Sequence, residues 1–452
     1  MTKYNLYFSI VKKQKIPYNN TGYFSKYICD YMDKKLPDFL KDCELPSLNS
    51  FREKIIEKNN QKFNRSLLYD VLSSQNKEIC LSEKSLCNIN DLKKENTYTV
   101  TTGHQLCIFG GPMFFIYKII TAINLTKKLK KSFPDYNFVP LFWMASEDHD
   151  FDEVNNVNFF GDKFLWNIDS KGKVGDVHTT AISELIKSLK IRMGDNENSH
   201  ALFSILSQCY NGNTLSESTR LFVNHFFGKY GIVILDPDDK KLKREMLPIL
   251  KEDVCENNLS KIINKTSFNF SRDYKIQAKV KNINFFKLTK DDRVPVTEKI
   301  SINHILENYE EFSPNVLTRP IYQEIILPNI AYVGGGSELS YWSQLIDVFE
   351  YLDLVYPCMV LRNSVALLPQ KDSKFLSKLG FDLSDIFRNF DELTANYLKC
   401  SENINFSSNK TKINSIYKSI MSIVDDQSLK DAIDSSRKYN LKSLDKIEKK
   451  NY

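Results

Sequence analysis

Two short polar segments concentrate the reactive side chains of this 452-residue sequence. In Thr101-Thr102-Gly103-His104-Gln105, followed by Gly110-Gly111, glycine lets backbone approach a phosphate and His104 can donate to it or to a developing negative charge. The plain alternative is a tight turn with a satisfied histidine. Glu147-Asp148-His149-Asp150, continuing to Asp152 and Glu153, is the densest ionisable cluster. Crowded at a cleft, such groups push one another's pKa values apart and can form an acid–base pair. They also suit a Mg²⁺ ion escorting a nucleotide, or simply a solvated acidic loop. Zinc is disfavoured, since no second histidine lies at ligand spacing.

A third segment, Gly334-Gly335-Gly336-Ser337-Glu338, carries three consecutive glycines. Their entropy cost implies a close approach, with Ser337 as the expected N-cap of the next helix. It is not a P-loop, because the Lys-Ser/Thr ending is absent. Tyr341 and Trp342 follow, as pocket wall or as core. Arg319 and Arg362 supply cations for a phosphate or carboxylate, or else for surface ion pairs.

The elements that must position these groups follow from the apolar pattern. Residues 24–95 read mainly as helices. Thr97 to Thr102 is β-branched and aromatic, hence a strand, and Phe138 to Ala145 is a continuous apolar run typical of a parallel strand buried on both faces. Between them a helix opens at Gly110-Gly111-Pro112, with proline in its first turn, and stops before Pro134. Gly231 to Leu235, Asn329 to Val333 and Leu354 to Leu361 complete a strand–turn–helix rhythm, which predicts an α/β fold with a doubly wound parallel sheet. Ligands in such sheets sit outside the carboxyl ends of the strands, where all three polar segments fall. A core over residues 1–370 is therefore expected, interrupted by insertions at about 158–228 and 280–318. Apolar residues at 3–4 spacing from Ile413 to Ile447 predict a helical coiled-coil arm over 371–452. The pattern runs to the last residues without a cap, so the arm reads as incomplete.

Composition sets the outer bounds. The hydrophobic fraction of 42% excludes disorder for most of the chain. The net charge of +6 is thin and dispersed, which argues against nucleic acid. Nine cysteines without a C-x-x-C favour reduced thiols over a disulfide scaffold or zinc site. No apolar stretch approaches the roughly 18 residues of a spanning helix, and the apolar stretch from Leu6 to Val11 is too short for a signal peptide. A soluble cytoplasmic enzyme without a tightly bound metal is expected.

With these segments in hand, the chain closely resembles the bacillithiol biosynthesis cysteine-adding enzymes, the BshC family of cysteine ligases. The resemblance is carried by Thr101 to Gln105 with Gly111-Pro112 and Tyr117-Lys118, and by Pro140 through Trp143 to Phe151. It extends to Ser313 through Leu317 with Arg319-Pro320 and Tyr322-Gln323-Glu324, and to Leu327-Pro328-Asn329 with Gly334 through Leu339 and Tyr341-Trp342. It covers about residues 1–450. The resemblance implies a Rossmann-like core, two connecting-peptide insertions and a coiled-coil arm used in a homodimer. It implies addition of L-cysteine to glucosaminyl-malate, for which ATP, with Mg²⁺, would activate the carboxylate. In that scheme Asp148, His149 and Asp150 hold the cysteine or relay protons from the sugar amine, and His104 assists catalysis. Thr102, Gly103, Gln105, Gly111, Arg319, Gly335, Gly336, Ser337 and Glu338 contact the nucleotide or line the sugar pocket. Competing readings are another nucleotidyltransferase or synthetase-like activating enzyme, and a truncated, non-catalytic remnant.

Overall fold

In the computed structural model, which describes residues 13–400 and 406–450, the β-branched run after Asn96 forms strand β1 (Thr97–His104). The apolar run forms β2 (Asn137–Met144). The remaining strands are β3 (Asn156–Phe159), β4 (Asp162–Leu165), β5 (Val233–Leu235), β6 (Phe285–Leu288), β7 (Arg293–Pro295), β8 (Phe312–Pro314), β9 (Asn329–Gly334) and β10 (Cys358–Leu361). Five of them form one parallel sheet in the order β10-β9-β1-β2-β5. From central β1 the chain winds to β2 and β5 on one side, then returns to β9 and β10 on the other. The topological switch therefore lies between β1 and β9, and the crevice at their carboxyl ends is where this architecture binds ligands.

Both faces of the sheet are covered, which is why β1 and β2 read as continuous apolar runs. The helix Met113–Ser132 packs Phe115 and Ile119 against Phe142 and Met144. It starts after Pro112, which sits at the cap rather than in the first turn. On the opposite face Trp143 meets Tyr322 of the helix Arg319–Ile326 at 5.6 Å between ring centroids. There too, Tyr332 stacks on Trp342 of the helix Gly336–Trp342 at 4.7 Å. Strand alternation puts Phe142 and Trp143 on opposite faces. A buried polar chain locks β1 to β9. The Thr99 and Thr101 hydroxyls donate to Asn329 Oδ1, and Asn329 Nδ2 donates to Glu324. Glu324 is paired at 2.9 Å with Lys58, both side chains fully buried.

Between β2 and β5 lie the β3–β4 hairpin and the helices Ser183–Met193, Glu197–Cys209 and Leu215–Phe227. Between the helices Asn258–Phe270 and Arg319–Ile326 lies a three-stranded antiparallel sheet, β7-β6-β8. These elements belong to one compact unit, residues 25–365. The other unit takes in the described residues from 366 onward together with residues 13–24. In it, Ser407–Ser422 and Gln427–Lys450 form a helical hairpin, tied by Lys410–Asp445 at 2.6 Å and by Arg437 Nη1 donating to Asn414 at 2.8 Å. Ile416, Ile420, Ile423, Leu429 and Ile447 of the apolar stripe stay exposed. Among the described residues no helix is long and apolar enough to cross a membrane.

Candidate active site

At the switch point, β1 ends at Gly103-His104 and β9 ends at Gly334. Lys118, one face of the helix after β1, reaches up to donate to the Gly103 carbonyl at 2.9 Å and pairs with Glu338. Glu338 also accepts from the Tyr332 hydroxyl at 2.6 Å and from the Gly335 N–H at 2.8 Å. Burial works to raise the Glu338 pKa, but Lys118, Tyr332 and the Gly335 N–H outweigh it and hold the carboxyl below its usual value. Glu338 thus acts as the cap of its own helix: Gly335, not Ser337, occupies the N-cap position, and Ser337 is the second helical residue, exposed.

His104 sits beside this cluster, its ring against Phe114 and Phe115 at 5.4 and 5.2 Å. Nδ1 lies 3.0 Å from the Gln105 carbonyl, which can only accept, so Nδ1 carries the hydrogen and Nε2 is left as an acceptor. Burial first, then the Lys118 ammonium, push the imidazole pKa down to about 4. At neutral pH His104 is uncharged, and with its one N–H turned to the Gln105 carbonyl it offers an acceptor at Nε2, not the donor expected from the sequence.

Below the same edge lies Arg319. Its guanidinium stands over the rings of Tyr332, Trp143 and Trp342 at 5.3–5.9 Å, and Nη1 donates to Gln323 at 3.0 Å. Among the described residues no carboxylate comes within ion-pair distance of it. A cation set among aromatic faces, without its own anion, is prepared to receive one. Arg362 lies over the Phe114 ring at 5.1 Å on the β10 side.

The acidic loop leaves β2 next door, and Gln105 joins the two. Its Nε2 donates to Asp148 Oδ2 at 2.8 Å and to Glu153 Oε2 at 2.6 Å. Asp148 Oδ1 accepts the His149 N–H at 2.8 Å and lies 3.5 Å from His149 Nδ1. His149 is exposed. Asp150, also exposed, begins the short helix Phe151–Val154. Glu147 turns inward instead, 2.6 Å from Lys243, which is itself 2.7 Å from Asp238 and donates to the Glu310 carbonyl at 3.0 Å. Burial pushes the Glu147 carboxyl up while Lys243 pulls against it. Burial would strip Lys243 of its proton, but Glu147 and Asp238 hold it on.

The structure therefore gathers His104, Gly103, Gln105, Asp148, His149, Asp150, Gly335, Ser337, Glu338 and Arg319 along the ends of three adjacent strands. Other residues singled out in the sequence serve the fold. The Thr102 hydroxyl is spent on the Val333 carbonyl at 2.8 Å, between strands. Gly111 has φ +51°, and a Cβ there would lie 2.4 Å from the Cys107 Cβ. A Cβ on Gly336 would meet Ile28 at 2.9 Å. Of the glycines in these turns, Gly103 and Gly335 would admit a Cβ at ordinary contact distances, so packing does not demand glycine at either. Sequence reasoning missed Lys243 and Arg293 as participants, whereas Lys118 stood in a recognisable motif and Glu153 in the acidic cluster, neither with a role of its own.

For an anionic group such as a nucleotide phosphate, the donor set fits on the β1–β9 side. Arg319, Arg362 and the exposed Ser337 hydroxyl face that edge, whereas the Gly335 N–H is already bound to Glu338. Among the described residues no three His, Cys, Asp or Glu side chains converge as a metal site. A cavity of about 520 Å³ lies elsewhere, between the helices Met113–Ser132 and Leu215–Phe227. Its walls are mainly apolar, with Ile116, Ile120, Phe222 and Phe226, and Asn124, Lys127 and Tyr230 supply the polar groups.

Comparison with known proteins bears on the same elements. Residues 11–363 match the family model described as bacillithiol biosynthesis BshC, N-terminal Rossmann-like domain. Residues 365–451 match the model described as bacillithiol biosynthesis BshC, C-terminal coiled-coil domain. A protein of Flavobacterium psychrophilum named "Putative cysteine ligase BshC" is 37% identical over 463 aligned residues, covering 96% of this chain and 86% of that protein. Proteins of the same name from Flavobacterium johnsoniae and Christiangramia forsetii are 39% and 37% identical, over 84% and 96% of this chain and 75% and 86% of theirs.

Proposed function

The chain belongs to the bacillithiol biosynthesis BshC family, and from that premise we propose that it joins L-cysteine to the amine of glucosaminyl-malate at the ends of β1, β2 and β9. The observation that carries the reading is Gln105. It ties the turn after β1, at the switch point, to the acidic loop after β2, so an anion-binding crevice and an acid–base loop share one rim.

Forming an amide from a free carboxylate requires a better leaving group than oxide. ATP, with Mg²⁺, would supply it when bound, by activating the cysteine carboxylate. The residues of this chain bind and orient. Arg319, Arg362 and Ser337 take the phosphate charge, and Gly103 and Gly335 let the ligand come close to the backbone. Gly111 and Gly336 shape the two turns that carry these groups, and Thr102 fixes the strand pair beneath them. The neutral His104 offers Nε2 as an acceptor, for a hydroxyl or an ammonium group. Glu338 and Lys118 keep the crevice floor rigid. On the other side of Gln105, His149 takes the proton released as the sugar amine attacks, while Asp148 orients the ring and Asp150 holds the cysteine ammonium. The exposed apolar stripe of the arm is the surface for a homodimer with a second copy.

Purified protein incubated with cysteine, glucosaminyl-malate and ATP should yield bacillithiol by mass spectrometry, with stoichiometric AMP or ADP. Well-folded protein that consumes no cysteine under these conditions would refute the reading.

A further inference from the structure

Arg293 lies in no motif, yet the whole inserted sheet is arranged around it. On β7 its Nε donates to Ser313 Oγ at 3.1 Å and its Nη2 to the Pro314 carbonyl at 2.7 Å, both on β8. Its guanidinium covers the ring of Phe286, on β6, at 4.2 Å. Three strands thus aim one cation, and the nitrogen left over, Nη1, faces Asp148 Oδ1 at 3.6 Å. Only 12% of the Arg293 side chain is exposed. Phe286 in turn packs its ring toward His149 at 6.1 Å. Asp148 and His149 are therefore held from two sides, by Gln105 from β1 and by Arg293 with Phe286 from the insertion.

We propose that Arg293 is a positioning residue that sets the orientation and proton affinity of His149 through Asp148. The proposal rests on the reading of His149 as the proton acceptor, and deepens it. At 3.6 Å the contact is too long for a charge-assisted hydrogen bond, so its effect on Asp148 is mainly that of its field. The charges around His149 explain why that field matters. On its own loop stand Asp148 and Asp150, with Glu153 beyond Gln105. The segment after β4 brings Lys173 and Asp176, and its Val174 N–H donates to the Asp148 carbonyl at 2.7 Å. Behind the loop, Glu147 and Asp238 are already matched by Lys243. The insertion brings Arg293 and Lys281, the latter over the Phe286 ring at 5.4 Å. Arg293 is the cation nearest the Asp148–His149 pair. Without it, Asp148 and His149 are left facing the carboxylates of their own loop, with no cation among the described residues at ion-pair distance.

The test is Arg293→Met against Arg293→Lys. The His149 ring is followed by NMR titration, with its resonance assigned by its loss in His149→Gln. In Arg293→Met the His149 titration should move up by about one pH unit, as expected for a cation several Å away in a partly solvated site. The acidic limb of kcat/KM should move with it. Arg293→Lys, which keeps the charge without the fork, should restore most of the titration while kcat stays reduced several-fold. An unmoved His149 titration in folded Arg293→Met would overturn the proposal and leave the ligase reading standing. A shifted titration in a protein that makes no bacillithiol would instead remove the ligase reading and keep the Arg293 coupling. If Arg293→Met does not fold, Arg293→Lys decides alone: a titration displaced by a full unit despite the retained charge would refute the electrostatic coupling.

Discussion

Acidification should destabilise this protein through His104 before it protonates the ordinary carboxylates. The imidazole is boxed by Phe114 and Phe115 and faces Lys118, and its pKa falls from 6.5 to about 4. The folded value lies below the unfolded one, so protons bind the unfolded chain more readily. The stability from neutral His104 is complete above about pH 6.5 and is lost as pH falls from there through 4. At pH 5 the loss amounts to about 2 kcal/mol. Buried Glu147 and Asp236, whose pKa values are raised by burial, push the other way, so wild type alone is not diagnostic. The comparison is with His104→Gln, which keeps a polar side chain but cannot titrate. Denaturant unfolding of both proteins at pH 7.5 and pH 5.0 should show the wild type losing about 2 kcal/mol more than the variant. A difference independent of pH, or a His104 resonance titrating near 6.5, would refute the placement of His104 as a half-buried neutral group.

Three further outcomes follow from the same geometry. Asp148→Ala and His149→Ala should each lower bacillithiol formation at least 100-fold with unchanged circular dichroism; near-normal turnover would remove the acid–base assignment. Lys243→Met leaves Glu147 and Asp238 buried without their cation and should cost about 3–5 kcal/mol in denaturant unfolding. Gly336→Ala drives a methyl into Ile28 and should cost about 1–3 kcal/mol. Gly335→Ala, with room for its Cβ, should cost less than about 1 kcal/mol while weakening nucleotide binding measured calorimetrically; the reverse order of stabilities would contradict the turn described.

The strand ends were legible because a parallel strand buried on both faces is an apolar run that stops abruptly, and each run here stops at a polar or glycine turn. The partners inside the site were not. Lys243 and Arg293 reach the acidic loop from 93 and 143 residues or more away in sequence, and nothing local marks a lysine destined to be buried between two carboxylates. Glycine was ambiguous for a related reason. Gly336, pressed by Ile28, and Gly335, open on one side, look alike in sequence, since neighbours from distant elements decide which is packed. Ser337 reads as a cap from its type alone, but Glu338 reaches back to Gly335 and takes that place. The charge state of His104 depends on Lys118 and two phenylalanine rings that only the folded turn brings together.

The central claim is that the crevice between β1 and β9 activates the carboxylate of cysteine for attack by an amine held beside the loop after β2. Cysteine labelled with ¹⁸O in both carboxyl oxygens tests it directly. Amide formation through an acyl-adenylate or acyl-phosphate must leave one labelled oxygen on the AMP or phosphate released, and one in the bacillithiol amide carbonyl. Mass spectrometry should find that split. Bacillithiol formed with no label in the nucleotide or phosphate product would contradict it.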